Sequence, residues 1–419
     1  MTSVLTNTSQ SDVCQNVGAL KSTDVGEIPV DWQVVEAGDI GRFKGGSGFP
    51  LTYQGQQHGE HPFFKVSDMS SPDNAIALKR AIHYISDNAR RALGAYLFPK
   101  NTIVFAKVGA AIFLERKRML EQPSCIDNNM AGFVVSSPNV EFRYIYHFLT
   151  SYKLGSLVSV TALPSLNGGV LKRIKVPLPP KAEQALVAEA LDDADALIES
   201  LEQLIAKKRA VKQAAMQDLL SGRRRLPGFG AEWKEVKFGA FASLRKERID
   251  PRVAGRQPFC VELEHVGQGT GRLEGFSEAG ENSSLKAVFK EGDVLFGKLR
   301  AYLRKYWLAD REGVCSTEFW VLIPQKGKVT STYLYQLVQT DAFVEVASLG
   351  YGTHMPRSDW SSVNEIAFSI PRIDEQEAIG RVLGDMDAEL DALELRLRKA
   401  RQIKQGMMQE LLTGRVRLV

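Results

Sequence analysis

The hydrophobic positions near the end of the chain follow the spacing of a helix that buries one narrow face. Between residues 375 and 418 they recur at alternating steps of four and three, which is the seam of a coiled coil. The helix-pairing positions of this seam are Ile379, Leu383, Met386, Leu390, Leu393, Leu397, Ala400, Met407 and Leu411. Lys404 occupies its one polar position. The pattern predicts a single long helix whose stripe must be covered by another helix.

The same segment occurs a second time, earlier in the chain. Residues 183–226 align with residues 375–418 without a gap, and 20 of the 44 positions are identical. This copy keeps the register of the seam through Val187, Leu191, Ala194, Ile198, Leu201, Ile205, Ala215 and Leu219, with Lys208 and Lys212 in the gap. Such identity indicates an internal duplication. Matching seams predict an antiparallel helix pair within one chain, and pairing with a second copy of the chain is the alternative.

Both helices carry start and stop signals. Prolines precede each of them, and Asp374 and Glu377 have the spacing of a capping box at the start of the second helix. Gly222 and Gly414 stand where a left-handed helix end is favoured. Each helix is then about 38 residues long, roughly 57 Å at 1.5 Å per residue. The basic tails "SGRRRL" and "TGRVRL" could touch phosphate groups, but solvated helix ends that complement the dipole are the favoured interpretation.

The segments before the two helices also correspond, although they have diverged further. Trp32 matches Trp233, and short apolar runs bounded by Gly, Pro, Asn and Asp recur in the same order, which predicts strands. Examples are "KNTIVFAKVGA" against "EGDVLFGKLRA" and "CIDNNMAGFVV" against "CSTEFWVLI". Helices are predicted at the same place of each half, in "RYIYHFLTSYKL" and "STYLYQLVQTDAF". The fold class is therefore α+β: two mixed α/β domains separated by two long antiparallel coiled-coil helices, in a duplicated chain with pseudo-two-fold symmetry.

The expected boundaries follow from this alternation of domain and helix. The first domain is placed at residues 1–178, of which 1–24 form an extension of undetermined role. The central helix is placed at 179–221, the second domain at 222–370, and the last helix with its tail at 371–419. Protein dimers place two reading heads at a fixed separation on DNA. A duplicated chain could do the same with two different heads.

Composition narrows the class of protein without deciding it. The 419 residues are 44% apolar and 24% charged, which is ordinary for a soluble protein of two or more domains. The sequence has no apolar run of the roughly 20 residues that cross a bilayer, and its polar start does not have the pattern of a secretory signal. The four cysteines lie far apart without a CxxC pair, so a cytoplasmic location is expected. A net charge of +4 permits a nucleic-acid partner but does not argue for one.

Several short motifs follow one another along nearly the whole chain. They are "IPVDWQVV" at 28–35, "KGGSGFP" at 44–50 with "PFFKVSDM" after it, "VPLPPKAEQ" at 176–184, "RLPGFGAEW" at 225–233, "GDVLFGKLRAYLRK" at 292–305 and "IPRIDEQ" at 370–376. In this combination and order the chain resembles the specificity subunits of type I restriction–modification systems. Residues 1–24 carry no part of the resemblance, and "NTIVFAKVGAAIFLERKR" in the first domain departs from the second domain's version.

The resemblance implies a DNA-recognition subunit without catalysis of its own. Each of two target-recognition domains would read one half of a split, asymmetric sequence in double-stranded DNA. The paired helices would fix the unread gap and dock two methyltransferase subunits, and two restriction subunits would add DNA cutting where they are present. S-adenosylmethionine, ATP and Mg²⁺ would bind to these partners, so no cofactor and no metal are expected in this chain.

The residues themselves show no complete catalytic motif. Gly292–Lys298 nearly matches a phosphate-binding loop, but Leu299 follows where Ser or Thr is required. The "GQGTG" at 267–271 precedes "RLEGF" rather than the helix that dinucleotide binding needs. The six histidines lack metal-ligand spacing, and the Asn-Pro-Pro-aromatic run typical of adenine methyltransferases does not occur.

The candidate DNA contacts are cations and hydrogen-bond donors on loops or strand ends. In the first domain they are Lys44, Lys65 and Lys107. In the second domain they are Lys298, Arg300, Arg304, Lys305, His354 and Arg357. The last two lie in the turn-rich "YGTHMPRSDW", whose uncharged counterpart "TALPSLNGG" favours base reading by this loop. A solvated surface cation is the alternative for each residue, and Lys298 could also face inward.

Two other classes of function compete with DNA recognition. A self-contained nuclease or methyltransferase would show activity as the purified chain. A coiled-coil scaffold would show no DNA binding, or binding with a flat salt dependence, in the presence of a methyltransferase partner.

Overall fold

A computed structural model of the protein describes residues 19–158, 163–349 and 356–418. Its contacts divide the chain into two compact units. The first unit lies within Met1–Ser200 and Leu397–Val419, and the second is Leu201–Arg396. Each unit therefore combines one domain with the first half of one long helix and the second half of the other.

The domain of the first unit is built on a five-stranded sheet. Its strands are β1 (Leu20–Thr23), β2 (Gly26–Pro29), β3 (Gln33–Glu36), β4 (Gly41–Gly45), β5 (His61–Phe64), β6 (Ala77–Leu78), β7 (His83–Ile85), β8 (Ile103–Ala106), β9 (Lys117–Leu120), β10 (Cys125–Ile126), β11 (Met130–Val135) and β12 (Lys175–Leu178). Its helices are α1 (Ala37–Ile40), α2 (Asp87–Ala92), α3 (Phe142–Ser151), α4 (Gly168–Lys172) and the start of α5 (Lys181–Leu220). The five-stranded sheet has the order β4-β11-β8-β9-β6, beside a sheet β10-β5-β7 and the ribbons β1-β2 and β3-β12.

The domain of the second unit repeats this plan with different lengths. Its strands are β13 (Lys234–Lys237), β14 (Ala242–Leu244), β15 (Arg248–Ile249), β16 (Gln257–Val261), β17 (Ser277–Ala279), β18 (Lys286–Phe289), β19 (Val294–Gly297), β20 (Tyr306–Leu308), β21 (Gly313–Ser316), β22 (Phe319–Pro324) and β23 (Ala367–Ile370). Its helices are α6 (Pro251–Ala254), α7 (Ser331–Leu337), α8 (Asp341–Ser348), α9 (Trp360–Asn364) and α10 (Ile373–Leu411), which ends in the first unit. The sheets have the orders β14-β22-β19-β20 and β15-β18-β21-β16-β17, with the ribbon β13-β23.

The predicted α+β class and the duplication of the fold are confirmed. The order β4-β11-β8-β9 in the first unit corresponds to β14-β22-β19-β20 in the second. Every residue of β8 and of β19 is buried, and this explains why both strands are continuous apolar runs rather than alternating ones. The helix predicted in the second half is divided in two, since α7 ends at Leu337 and α8 begins at Asp341.

The residues predicted to pair the two long helices are all buried or half-buried. The ends of the seam belong to the domain cores as well. Leu191 and Leu411 pack in one apolar cluster with Tyr144 of the first domain. Leu219 and Leu383 pack in the corresponding cluster of the second domain. The helices are therefore fastened to the domains by the same stripe that pairs them. None of the described helices is long and apolar enough to cross a membrane.

The polar positions of the seam hold ion pairs. Lys404 forms an ion pair with Asp195 in the first unit, and Lys212 lies 2.5 Å from Asp387 in the second. Lys208 and Glu389 approach to 2.7 Å, so residue numbers rise along one helix and fall along the other. The helices are antiparallel within each unit. A charged pair inside an apolar seam is a device that fixes register, because a shifted pairing would bury each charge alone.

The helix ends agree with the prediction, whereas one helix start does not. Gly222 and Gly414 both have a φ of 72°, the left-handed conformation that favours glycine. The capping box predicted for Asp374 and Glu377 is wrong. Helix α10 already begins at Ile373, and the backbone carbonyl of Arg372 accepts the first hydrogen bonds of the helix.

The last arginine of the α10 tail does not extend into solvent, contrary to the prediction, whereas Arg415 is exposed as predicted. The Arg417 guanidinium donates to both oxygens of Glu183, at 2.6 and 2.7 Å, at the start of α5. The indole N–H of Trp32 donates to the same carboxylate at 3.1 Å. Arg417 also reaches Asp31, at 2.7 and 3.0 Å, and lowers the pKa of that carboxyl by hydrogen bonding. We call the group Arg417, Glu183 and Trp32 the clasp of the first unit.

The tail of α5 makes the corresponding clasp in the second unit. The Arg225 guanidinium donates to both oxygens of Glu375 at 2.6 Å, and the indole N–H of Trp233 donates at 3.2 Å. The prediction of a solvated tail is therefore wrong for both arginines. In each unit the end of one long helix is held to the start of the other, so the repeated ending has a structural role.

The glutamine beside each clasp glutamate ties the helix start to its domain. The Gln184 side chain accepts a hydrogen bond from the backbone N–H of Glu141, which caps α3, at 2.8 Å. Gln376 accepts one from Thr330, which caps α7, at 3.0 Å. Both glutamines are buried and donate to backbone carbonyls as well. The shared Glu-Gln pair thus satisfies buried polar groups in both units.

Candidate nucleic-acid interface

Each domain carries two loops that cross at the end of its central strand. In the second unit, β19 is followed by Lys298 and Leu299, and Leu299 forms an isolated β-bridge with Arg357. The backbone N–H of Arg300 donates to the carbonyl of Pro356 at 2.9 Å. The sequence-predicted cations Lys298, Arg300 and Arg357 are thereby brought into one surface formed by the two loops.

The first unit has the same crossing with other side chains. Val108 forms an isolated β-bridge with Ser165, and the backbone N–H of Gly109 donates to the carbonyl of Pro164 at 2.8 Å. Lys107 immediately precedes this crossing, as Lys298 does in the second unit. The duplication therefore includes the hydrogen-bonded frame of these loops, while the side chains that the frame presents have changed.

Two predicted lysines of the first unit lie beside the glycine-rich loop. The Lys44 ammonium sits 3.5 Å from the centre of the Tyr96 ring, a cation–π contact. A Cβ atom at Gly45 would lie 2.6 Å from the ammonium of Lys107, so the Lys107 side chain passes directly over this glycine. Because consecutive residues of a strand point to opposite faces, Lys44 and Lys107 flank the end of β4 from its two sides.

The third predicted lysine, Lys65, lies near Asp127, which packs against the glycine-rich loop. A Cβ at Gly46 would stand 2.0 Å from the carbonyl oxygen of Asp127, so only glycine fits there. Burial raises the pKa of the Asp127 carboxyl, and the charge of Lys65 acts in the opposite direction. Lys65 also donates to the side chain of Gln54 at 3.2 Å. Lys65 is half-buried and less free than Lys44 to reach a ligand.

Two of the cations of the second unit, Arg357 and Lys298, lie near one glutamate. Arg357 is exposed and makes two contacts of 3.0 Å with Glu318, whose pKa it lowers by hydrogen bonding. Lys298 adds a weaker lowering through its charge. Arg300 is exposed and has a φ of 54°, a strained conformation for a residue other than glycine. A phosphate could replace the glutamate as the partner of Arg357.

Arg304 and Lys305 do not join this group. Arg304 donates to the carbonyl of Gln339 at 3.0 Å and forms an ion pair of 2.5 Å with Asp341. The Lys305 ammonium donates to the carbonyl of Leu263 at 2.7 Å. Both side chains are therefore engaged within the domain, and their predicted DNA contacts stay predictions. His354 lies outside the described residues.

The sequence contains a further basic run that the prediction missed. Residues 245–256 include five arginines and lysines. Arg245 is held by Asp293 at 2.7 and 2.9 Å, whereas Lys246 and Arg248 are exposed. The density of positive charge was the signal that could have found the last two. Within the part of the chain that the structure describes, no group of three or more His, Cys, Asp or Glu side chains could hold a metal ion.

Comparison with known proteins identifies the family of this chain. The model of the type I restriction modification DNA specificity domain matches it twice, at residues 29–207 and 232–402. The two matches cover most of the chain, and each contains one domain and most of the long helix that follows it. The chain belongs to the type I restriction–modification DNA specificity family.

Similar proteins support this assignment over more than nine-tenths of the chain. The type I restriction enzyme EcoDI specificity subunit of Escherichia coli is 23% identical over 92% of this chain and 88% of its own. The putative type I restriction enzyme MjaX specificity subunit of Methanocaldococcus jannaschii is 24% identical over 95% of this chain and 96% of its own. The predicted resemblance is confirmed.

The fold of the family is also that of a solved structure. The S subunit of a type I restriction-modification system from M. genitalium covers 91% of this chain and 96% of its own, with a TM-score of 0.59 and 15% identity. At this identity the likeness concerns the fold alone. Individual contacts with DNA must therefore be argued from the side chains of this chain.

Proposed function

We propose that this chain is the DNA sequence-specificity subunit of a type I restriction–modification complex and reads a split target in double-stranded DNA. The observation that carries the proposal is the occurrence of two separate DNA specificity domains in one chain. Each unit has its own crossing loops, and these present cations that can contact phosphates or base edges.

The two halves of the target should differ in sequence. At the crossing, the first unit presents Gly109 and Ser165 where the second presents Arg300 and Arg357. Arginine pairs with two acceptors of guanine in the major groove, which glycine and serine cannot do in the same way. Equivalent frames with different side chains support an asymmetric target rather than a palindrome.

The paired helices are the proposed docking site for two methyltransferase subunits. The helix copies share 20 of 44 positions, far more than the domains, which is expected where two identical partners bind. Two restriction subunits would join the same assembly. S-adenosylmethionine, ATP and Mg²⁺ would bind to these partner subunits, and this chain would contribute recognition without catalysis.

The test is a genome-wide map of adenine methylation in cells that carry this chain and the methyltransferase encoded beside it. Deleting only this chain should remove methylation at one two-part motif with a fixed gap. Exchanging the domain of residues 232–370 for that of a relative should then change one half of the motif and leave the other intact. An unchanged map with intact methyltransferase would refute the proposal. Methylation by the purified chain alone would contradict the assignment of catalysis to the partners.

A further inference from the structure

The turn after the central strand carries an exposed aromatic side chain in both units. This turn is a short 3-10 helix at Ala110–Leu114 in the first unit and at Ala301–Leu303 in the second. Phe113 is 50% exposed and Tyr302 is 54% exposed. Single exposed apolar residues are common on protein surfaces. Here an exposed aromatic residue occurs at the same position of both domains, although most other side chains of the domains differ. This repetition indicates a common function.

The two aromatic residues occupy equivalent positions of the turn. Each follows a buried residue, Ile112 in the first unit and Ala301 in the second. Each stands two residues before a left-handed residue that is not glycine, Glu115 with a φ of 53° or Arg304 with a φ of 51°. The first turn has more residues than the second, so a gapless sequence alignment does not pair the two aromatic residues. The positions of the buried residue and of the left-handed residue in the two backbones show that they correspond.

The turns are held rigidly at their far ends. The Glu115 carboxylate accepts hydrogen bonds from the backbone N–H groups of Leu154, at 3.0 Å, and Gly155, at 2.7 Å. Arg304 is fastened to the carbonyl of Gln339 at 3.0 Å and to Asp341. A side chain on a pre-ordered turn loses little conformational freedom on binding. One edge of the Phe113 ring packs against Gly155 of its own domain, and half of the side chain stays exposed on this fixed turn.

Positive charge lies next to each turn. Arg300 directly precedes the second turn, is exposed, and keeps a strained left-handed backbone where the first unit has Gly109. Strain at a surface position that also carries a charge points to a functional constraint. The loop that contains the turn begins with Lys107 in the first unit and with Lys298 in the second. An exposed aromatic ring on a loop that also carries a cation matches DNA, because phosphates pair with the cation while the ring contacts base faces.

We propose that Phe113 and Tyr302 press against the stacked base pairs of the half-target read by their own domain and partly unstack them. This inference rests on the proposed function, since it requires the chain to bind DNA through these loops. Each ring would act as an apolar wedge beside phosphates held by the neighbouring lysine or arginine. Local unstacking would lower the cost of removing a target base from the duplex for methylation.

The test uses the assembled complex of this chain with its methyltransferase, bound to a duplex of the mapped motif. Fluorescent 2-aminopurine replaces one adenine at a time in each half-target, and its brightening reports unstacking. Tyr302→Ala should abolish brightening in one half-target and raise Kd about 5-fold to 150-fold, the range for aromatic–base stacking. Phe113→Ala should act in the same way on the other half-target. Tyr302→Trp should retain both properties.

Phe276→Ala is the matched control, because Phe276 is 60% exposed in the same unit but lies outside the turn. This variant should change neither the 2-aminopurine brightening nor the Kd. Thermal unfolding should show that all variants fold. If Tyr302→Ala and Phe113→Ala bind and brighten like the parent complex while Arg300→Ala binds more weakly, the wedge is refuted and DNA recognition stands. If the parent complex does not distinguish the motif from unrelated DNA, the wedge and the proposed function both fail.

Discussion

Replacing Arg417 with alanine should destabilise the first unit far more than its place near the end of the chain suggests. The Arg417 side chain is 11% exposed and that of its partner Glu183 is 3% exposed. Alanine would leave the Glu183 carboxylate buried with only the indole N–H of Trp32 as a partner. Breaking a buried ion pair from one side costs about 3–5 kcal/mol. The exposed contact with Asp31 adds at most about 1 kcal/mol.

Hydrogen exchange read by mass spectrometry can follow the first unit separately from the second. A loss of about 3 kcal/mol corresponds to roughly 150-fold faster exchange of the amides that open with the clasp. These amides should include those of β3 and the first turns of α5, which adjoin the clasp. Arg415→Ala is the control, because that side chain is 71% exposed and 4.0 Å from Glu410. It should change the free energy of opening by less than about 0.5 kcal/mol.

A double-mutant cycle tests whether the pair itself is responsible. Glu183→Gln removes the buried charge, so Arg417→Ala should cost less in that background, with a coupling of about 1–3 kcal/mol. Equal exchange in the Arg417→Ala and Arg415→Ala variants would refute the reasoning. Additive effects in the cycle would show that Arg417 stabilises the unit through packing on Trp32 instead.

Three further predictions concern other parts of the chain. Lys404→Met should lower the free energy of unfolding by about 3 kcal/mol because Asp195 loses its buried partner, whereas changing both residues to leucine should restore most of it, as urea denaturation would show. Gly46→Ala should lower the melting temperature and weaken DNA binding because the added Cβ would collide with the backbone carbonyl of Asp127. Gly48→Ala should do neither, because no atom of the residues that the structure describes lies within 4 Å of the added Cβ there. Burial raises the pKa of Cys125 to about 11, so its thiol should resist alkylation at pH 8 until the chain unfolds, as peptide mass spectrometry can measure.

Local patterns were sufficient for the elements and for the duplication. The four-three spacing of the two seams fixes the helices because apolar residues repeat at that period on one face of a helix. The apolar run of β19 could also be recognised locally, because a strand buried on both faces is apolar at every position. The glycines after both long helices could be recognised because the left-handed φ of a helix end favours glycine. A cation in a loop, by contrast, carries no local sign of its partner, so Lys298 and Lys305 could not be told apart in advance.

The sequence by itself determined that this chain has two domains, two matched helices and the motifs of the DNA specificity family. Only the tertiary structure decided where the repeated ending goes and which charges are free. Arg417 meets Glu183 across 234 positions of the chain, and Lys404 meets Asp195 across 209. Such pairs depend on the antiparallel helices being in register, and that register is set by packing over the whole seam. Whether a charged side chain has a partner depends on the residues that the fold places beside it. The residues next to it in sequence do not determine that partner.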